Sequence, residues 1–126
     1  MIGLIDAIGN CIASAEGFFV EGALPSRDNN PGDLRRAPWL QEPVISEGFW
    51  QAPSLAAGIA GLHHQIALDI SRGQTLRQLI YSWAPPTDGN KTETYLSETV
   101  RRLGVQGFTV DPEQPLQNYL EINHVP

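Results

Sequence analysis

The sequence predicts a mainly α, single domain spanning residues 1–126, with one small β-hairpin element. Three observations carry this. Apolar residues recur every three or four positions through several stretches, one short stretch alternates β-branched and aromatic residues instead, and glycines and prolines separate them. A length of 126 residues suits one core, and 41 % apolar residues suits a folded chain.

In the first stretch Leu4, Ile8, Cys11, Ile12, Ala15 and Phe19 line one stripe of a helix predicted over about residues 3–18. Cys11 lies on that stripe and is expected to be buried; as the single cysteine it allows neither an internal disulfide nor a cysteine-based zinc site. At about 100° per residue Glu16 falls at the edge of the stripe, between core and solvent. A carboxyl group there is partly desolvated, which favours the protonated form that a general acid needs.

Over residues 22–43 the periodicity disappears and Pro25, Asn29, Asn30, Pro31, Gly32, Pro38 and Pro43 punctuate a long loop, with Leu24, Leu34, Trp39 and Leu40 as anchors. Residues 43–50, PVISEGFW, suit a short strand or hairpin, with Glu47 in the strand. Pro53 and Ser54 open a helix with Leu55, Ile59, Leu62, Ile66 and Ile70 on one stripe and a stop at Arg72 and Gly73. It is expected to be the central buried helix, with Gly58 and Gly61 admitting a neighbouring helix. Thr75 caps a shorter helix carrying Leu76, Leu79, Ile80 and Trp83, which stops at Ala84, Pro85 and Pro86. The next helix carries Tyr95, Leu96, Thr99, Val100 and Leu103 and closes at Gly104. Asp111 and Pro112 are expected to start a last short helix with Leu116, Tyr119 and Leu120.

Fourteen acidic against eight basic side chains, a net charge of −6, argue against nucleic acid as a partner. No run approaches the roughly 20 apolar residues of a membrane span, and the N-terminus lacks the basic start of a secretory signal, so a soluble protein is expected. His63 and His64 are adjacent and point about 100° apart on a helix, so they cannot chelate one metal from one face. Neither a serine-nucleophile elbow nor a phosphate-cradling loop occurs. Carboxylates remain as candidate chemistry. Glycosidases commonly pair an acid with a second carboxylate, roughly 6.5–9.5 Å away for inversion and about 5 Å for retention. Asp28, Asp33 and Glu47 are the candidates for that second role beside Glu16, with Asp28 at the start of the polar turn and Glu47 in the strand favoured as catalytic.

The run IASAEGFFVEGALPSRDNNPGDLR resembles the opening of lysozyme-like peptidoglycan-cleaving domains of phage structural and bacterial proteins, in which a helix ends in a glutamate followed by NNPG[ND]L. GFWQAPSLAAGIAGL and YSWAPPTDGNKTETYLSETVRRLG are similar to later motifs of the same family, in the same order. Together they cover about residues 12–104. The resemblance implies an α+β lysozyme-like fold and cleavage of the β-1,4 bond between N-acetylmuramic acid and N-acetylglucosamine, with Glu16 as general acid and no cofactor. It implies substrate contacts at Asn29, Asn30 and Gly32 beside the acid, and at Asn90 and Tyr95 facing it. Arg27 and Arg35 are placed near the loop for the anionic lactyl-peptide part of the substrate. Both a hydrolytic lysozyme and a lytic transglycosylase fit. The alternatives are a non-catalytic glycan-binding or phage structural module and a chitinase-like hydrolase. The expected partner is the glycan strand, with a phage particle or cell-wall assembly as context, and the expected place of action is the bacterial wall.

Overall fold

The computed structural model describes residues 3–122. Their order is α1 (Leu4–Ala15), α2 (Leu24–Arg27), β1 (Ile45–Ser46), β2 (Phe49–Trp50), α3 (Leu55–Ser71), α4 (Leu76–Trp83), a 3₁₀ turn (Pro86–Asp88), α5 (Thr92–Val105) and α6 (Gln117–Ile122). The chain is thus mainly helical with one antiparallel hairpin, as its periodicity predicts. No described helix is long and apolar enough to cross a membrane. The described residues gather into two units, one made of the chain up to Ile8 and from Ile66 onward, the other of Gly9–Gln65.

Helix ends are set by backbone chemistry legible in the sequence. At the end of α1 the Phe18 N–H donates to the Ala13 carbonyl (3.0 Å) and the Gly17 N–H to that of Ser14 (3.2 Å), with Gly17 at φ 81°. This double bond around a left-handed residue satisfies carbonyls that the helix leaves orphaned. Gly73 (φ 78°) ends α3 in the same way, through Gly73 to Ile70 and Gln74 to Asp69. The end of α5 corrects the expectation of a stop at Gly104. That glycine is helical, and Gly107 (φ 96°) makes the stop, with Phe108 donating to Leu103.

In the unit that includes the C-terminal helices, Ile66, Ile70, Leu76, Leu79, Ile80, Leu96, Leu103 and Leu116 are buried. Thr75 accepts from the Gln78 N–H while the Gln78 side chain accepts from the Thr75 N–H, a reciprocal cap on α4. The Thr92 hydroxyl donates to the Ala84 carbonyl (2.7 Å) at the start of α5. Arg77 bridges Glu93 and Glu113, and Tyr81 donates to Glu93, tying α4 to α5 and to the turn at residues 111–114. Asp111 and Pro112 do not open the last helix, contrary to expectation. The Asp111 carboxylate accepts from the Glu113 N–H (2.9 Å) in a turn, its own N–H donates to the Tyr119 hydroxyl (2.7 Å), and α6 starts only at Gln117.

In the Gly9–Gln65 unit, Cys11, Ile12, Ala13, Leu34, Trp50, Ala52 and Leu62 are buried. Cys11 is buried in the core, as expected. Two apolar stripes fall short of their predicted extent. Phe19 leaves the stripe of α1 because Gly17 reverses the chain first, and the residue is 70 % exposed. On α3, Leu55 and Ile59 (40 % exposed) lie on the surface, so this first half is not the buried helix that the pattern suggests. Its inward face is made by Gly58 and Gly61 instead. A Cβ on Gly58 would lie 1.6 Å from the Asn29 carbonyl oxygen, and one on Gly61 would lie 2.6 Å from the Trp50 ring. The glycines therefore admit a loop backbone and an indole, where a second helix was expected.

Candidate functional site

Every residue that the first motif nominates lies in the Gly9–Gln65 unit: Glu16, Arg27, Asp28, Asn29, Asn30, Gly32 and, from the hairpin, Glu47. Glu16 is the C-cap residue of α1. Its N–H still donates to Ile12 (2.8 Å), and Gly17 turns the chain immediately after it, so its backbone is fixed from both sides. The side chain is half-buried, at the edge between core and solvent.

The following loop has a regular construction. Helix α2, with Pro25 in its first turn where the missing N–H does no harm, ends in another double-bonded stop. The Asn30 N–H donates to Pro25 (2.9 Å), the Asn29 N–H approaches Ser26 (3.4 Å), and Asn29 occupies the left-handed position at φ 52°. Asparagine is among the few side chains that tolerate that conformation, which explains its place in the motif. Pro31 and Gly32 then form a turn closed by the Asp33 N–H on the Asn30 carbonyl (3.0 Å), and Asp33 is again left-handed at φ 50°.

Asn30 holds the whole loop. Its side chain is 0 % exposed; Nδ2 donates to the carbonyls of Leu34 and Trp50, and Oδ1 accepts from the Leu34 N–H, all at 2.9 Å. The Trp50 N–H returns a bond to Leu34 (2.7 Å) and the Ala52 N–H donates to Asp28 (2.9 Å), so the loop is laced onto β2. An amide so engaged fixes the shape of the loop. Nothing short of the folded geometry distinguishes it from Asn29 beside it.

Two of the candidate second carboxylates, Asp28 and Glu47, stand in opposite surroundings. Asp28 is 4 % exposed, and its Oδ2 is buried without a hydrogen-bond partner. Glu47 is not in a strand as expected. Glu47 and Gly48, at φ 52° and 85°, are the two left-handed residues of the hairpin turn joining β1 to β2, a geometry that matches the strand twist. Its carboxylate is exposed and 3.5 Å from Arg27, which therefore bridges α2 to the hairpin tip. Arg35 lies over the Phe49 ring, 4.8 Å from its centroid.

Asp33 adds a titrating group to the loop. Burial pushes its carboxyl above the ordinary range; Arg35 opposes this and the charge of Asp28 reinforces it. A carboxyl whose folded pKa exceeds its unfolded value contributes stability below the unfolded pKa, and that contribution is lost as pH rises through the folded one. Asp33→Asn keeps a residue suited to φ 50° while removing the charge. Urea midpoints are expected to favour the variant relative to wild type at pH 7, with the difference closing toward pH 4. A difference independent of pH would contradict this.

Asn90 and Tyr95 belong to the other unit. Asn90 is exposed and its Nδ2 donates to the Pro85 carbonyl (3.1 Å), steadying the turn before α5. Tyr95 is half-buried on α5, its carbonyl accepting from the Thr99 hydroxyl (2.8 Å). His63 and His64 diverge: an added Cβ on Gly9 would lie 3.2 Å from the His63 ring, whereas the His64 ring lies 4.5 Å from that of Trp39, tilted 59° to it. Among the described residues no three of His, Cys, Asp and Glu converge as metal ligands. Compared with known protein families, characterised proteins and solved structures, the chain matches none.

Proposed function

We propose that the protein cleaves the glycan strands of peptidoglycan at the β-1,4 bond between N-acetylmuramic acid and N-acetylglucosamine, with Glu16 as general acid. The observation that carries this reading is the placement of Glu16. It caps α1 half-buried, its backbone is fixed by the turn at Gly17, and it shares a unit with a loop whose shape Asn30 locks. As general acid its carboxyl gives a proton to the glycosidic oxygen as the bond from the sugar's anomeric carbon breaks.

The anomeric carbon is then attacked by water that a second carboxylate deprotonates, by that carboxylate itself to give a glycosyl-enzyme bond that water later breaks, or by the sugar's own 6-hydroxyl, whose proton returns to the single acid/base. Asp28 and Glu47 remain the carboxylates favoured for the first two routes. Within the same unit as the acid, Asn29 and Gly32 offer polar backbone and Arg27 a cation for the substrate. A non-catalytic wall-binding module is the rival reading, and the half-buried carboxyl at a helix end is what favours an enzyme over it. Incubation with purified peptidoglycan tests the proposal: soluble glycan fragments should accumulate with time. Binding without release would leave the rival.

A further inference from the structure

Phe19 is the exposed ring nearest in sequence to Glu16, and its exposure is built rather than incidental. Gly17 and Gly22, both at φ 81°, bracket residues 18–21. Within the bracket the Val20 N–H donates to Gly17 (2.9 Å) and the Ala23 N–H to Val20 (3.2 Å), so the segment is a run of hydrogen-bonded turns. Phe18, half-buried, meets the Phe19 ring edge-on, with centroids 5.3 Å apart and planes at 76°. That T-shaped contact is a preferred aromatic geometry and fixes how Phe19 is presented. The result is an oriented ring on a residue that is 70 % exposed.

We propose that Phe19 is a stacking subsite for one pyranose ring of the glycan strand, next to or one removed from the bond presented to Glu16; this rests on the function proposed above. Three residues of chain separate the two Cα atoms by at most about 11 Å, a span of no more than two sugar rings. A pyranose offers a face of C–H groups, and the negative face of an aromatic ring attracts their positive ends. The segment itself carries Glu16 and Glu21 and no cation, in a chain of net charge −6. It therefore suits a sugar ring and repels an anionic membrane, the other surface that an exposed phenylalanine could enter.

The test combines sedimentation with purified peptidoglycan and turnover kinetics on it. Binding is measured for Phe19→Ala and Phe19→Trp in a Glu16→Gln background, and kinetics in the wild-type background. Loss of the stacking ring should weaken binding and raise KM by about 3- to 10-fold, with kcat within about 2-fold and the unfolding midpoint unmoved. Phe19→Trp, which keeps a stacking face, should behave like wild type. Unchanged binding in Phe19→Ala, failure of Phe19→Trp to rescue, or no sedimentation of the parent would each overturn the proposal. So would Phe19-dependent binding to phosphatidylcholine–phosphatidylglycerol vesicles without an effect on the glycan. If no protein cleaves the glycan, the proposed function fails, and sedimentation still decides the role of Phe19.

Discussion

Glu16→Gln should lower turnover of glycan strands by at least about 100- to 10,000-fold, the range that general acid catalysis alone supplies. Glutamine keeps the size of the side chain and its polarity but has no proton acidic enough to give to a leaving oxygen. The stability of the variant separates this from a structural effect. Glu16 sits at the C-terminal end of α1, where a negative charge meets the negative end of the helix dipole. Removing that charge should leave the urea midpoint unchanged or raise the stability by about 0.3–1 kcal/mol. An inactive and equally stable variant is the expected pair of results, with affinity for the glycan retained. A variant that loses stability along with activity would make Glu16 a structural residue, and one that keeps its activity would place the catalytic acid elsewhere.

The second large effect is expected at Gly58, far along the chain from Glu16. Gly58→Ala in an ordinary helix would gain about 1 kcal/mol from propensity. Here the new Cβ would lie 1.6 Å from the Asn29 carbonyl oxygen and 2.8 Å from its carbon, both backbone atoms of the loop that Asn30 holds. No side-chain rotation relieves that overlap, so either the loop or α3 must move. Overpacking of this kind typically costs about 1–3 kcal/mol and at times more. Allowing for the propensity gain, a net loss of about 2 kcal/mol is expected, with reduced glycan cleavage from the displaced loop. Gly104→Ala is the control. It lies within α5 with nothing inside 4 Å of its Cβ position, and should gain up to about 1 kcal/mol. Equal stability changes in the two variants, measured by urea denaturation, would contradict the packing of the loop on α3.

Much of this fold is legible in the sequence because local chemistry decides it. The cap at Thr75, the stop at Gly73 and the β-branched and aromatic run around Ile45 and Trp50 each read correctly, since each depends on residues only a few positions apart. One failure falls where distant backbone decides. Ile59 fits the apolar period of α3 perfectly well, yet the helix is rotated by what Gly58 and Gly61 admit, and Ile59 faces outward. Asp111 and Pro112 form a sound helix start in isolation, but the Asp111 carboxylate is engaged by Glu113 and its N–H by Tyr119. Helix α2 escapes notice because four residues are too few to show a period.

The candidate site divides in the same way. Glu16 is found from the helical period and a change of composition, both local. Asn30 is singled out by its motif, but its task of joining Leu34 to Trp50 exists only once residues 20 positions apart are brought together. Asp28 and Glu47 look equivalent as isolated acids, whereas the fold buries one and exposes the other on a turn. The exposure of Phe19 follows from the left-handed stop at Gly17, a signal present in the sequence as the glycine after Glu16.

The most direct measurement is mass spectrometry of the fragments released from purified peptidoglycan by the wild-type protein. The proposed function predicts glycan fragments with new ends on N-acetylmuramic acid, hydrated if water attacks and anhydro if the sugar's 6-hydroxyl does. Intact strands, new ends on N-acetylglucosamine, or cuts confined to the peptide stems would contradict it.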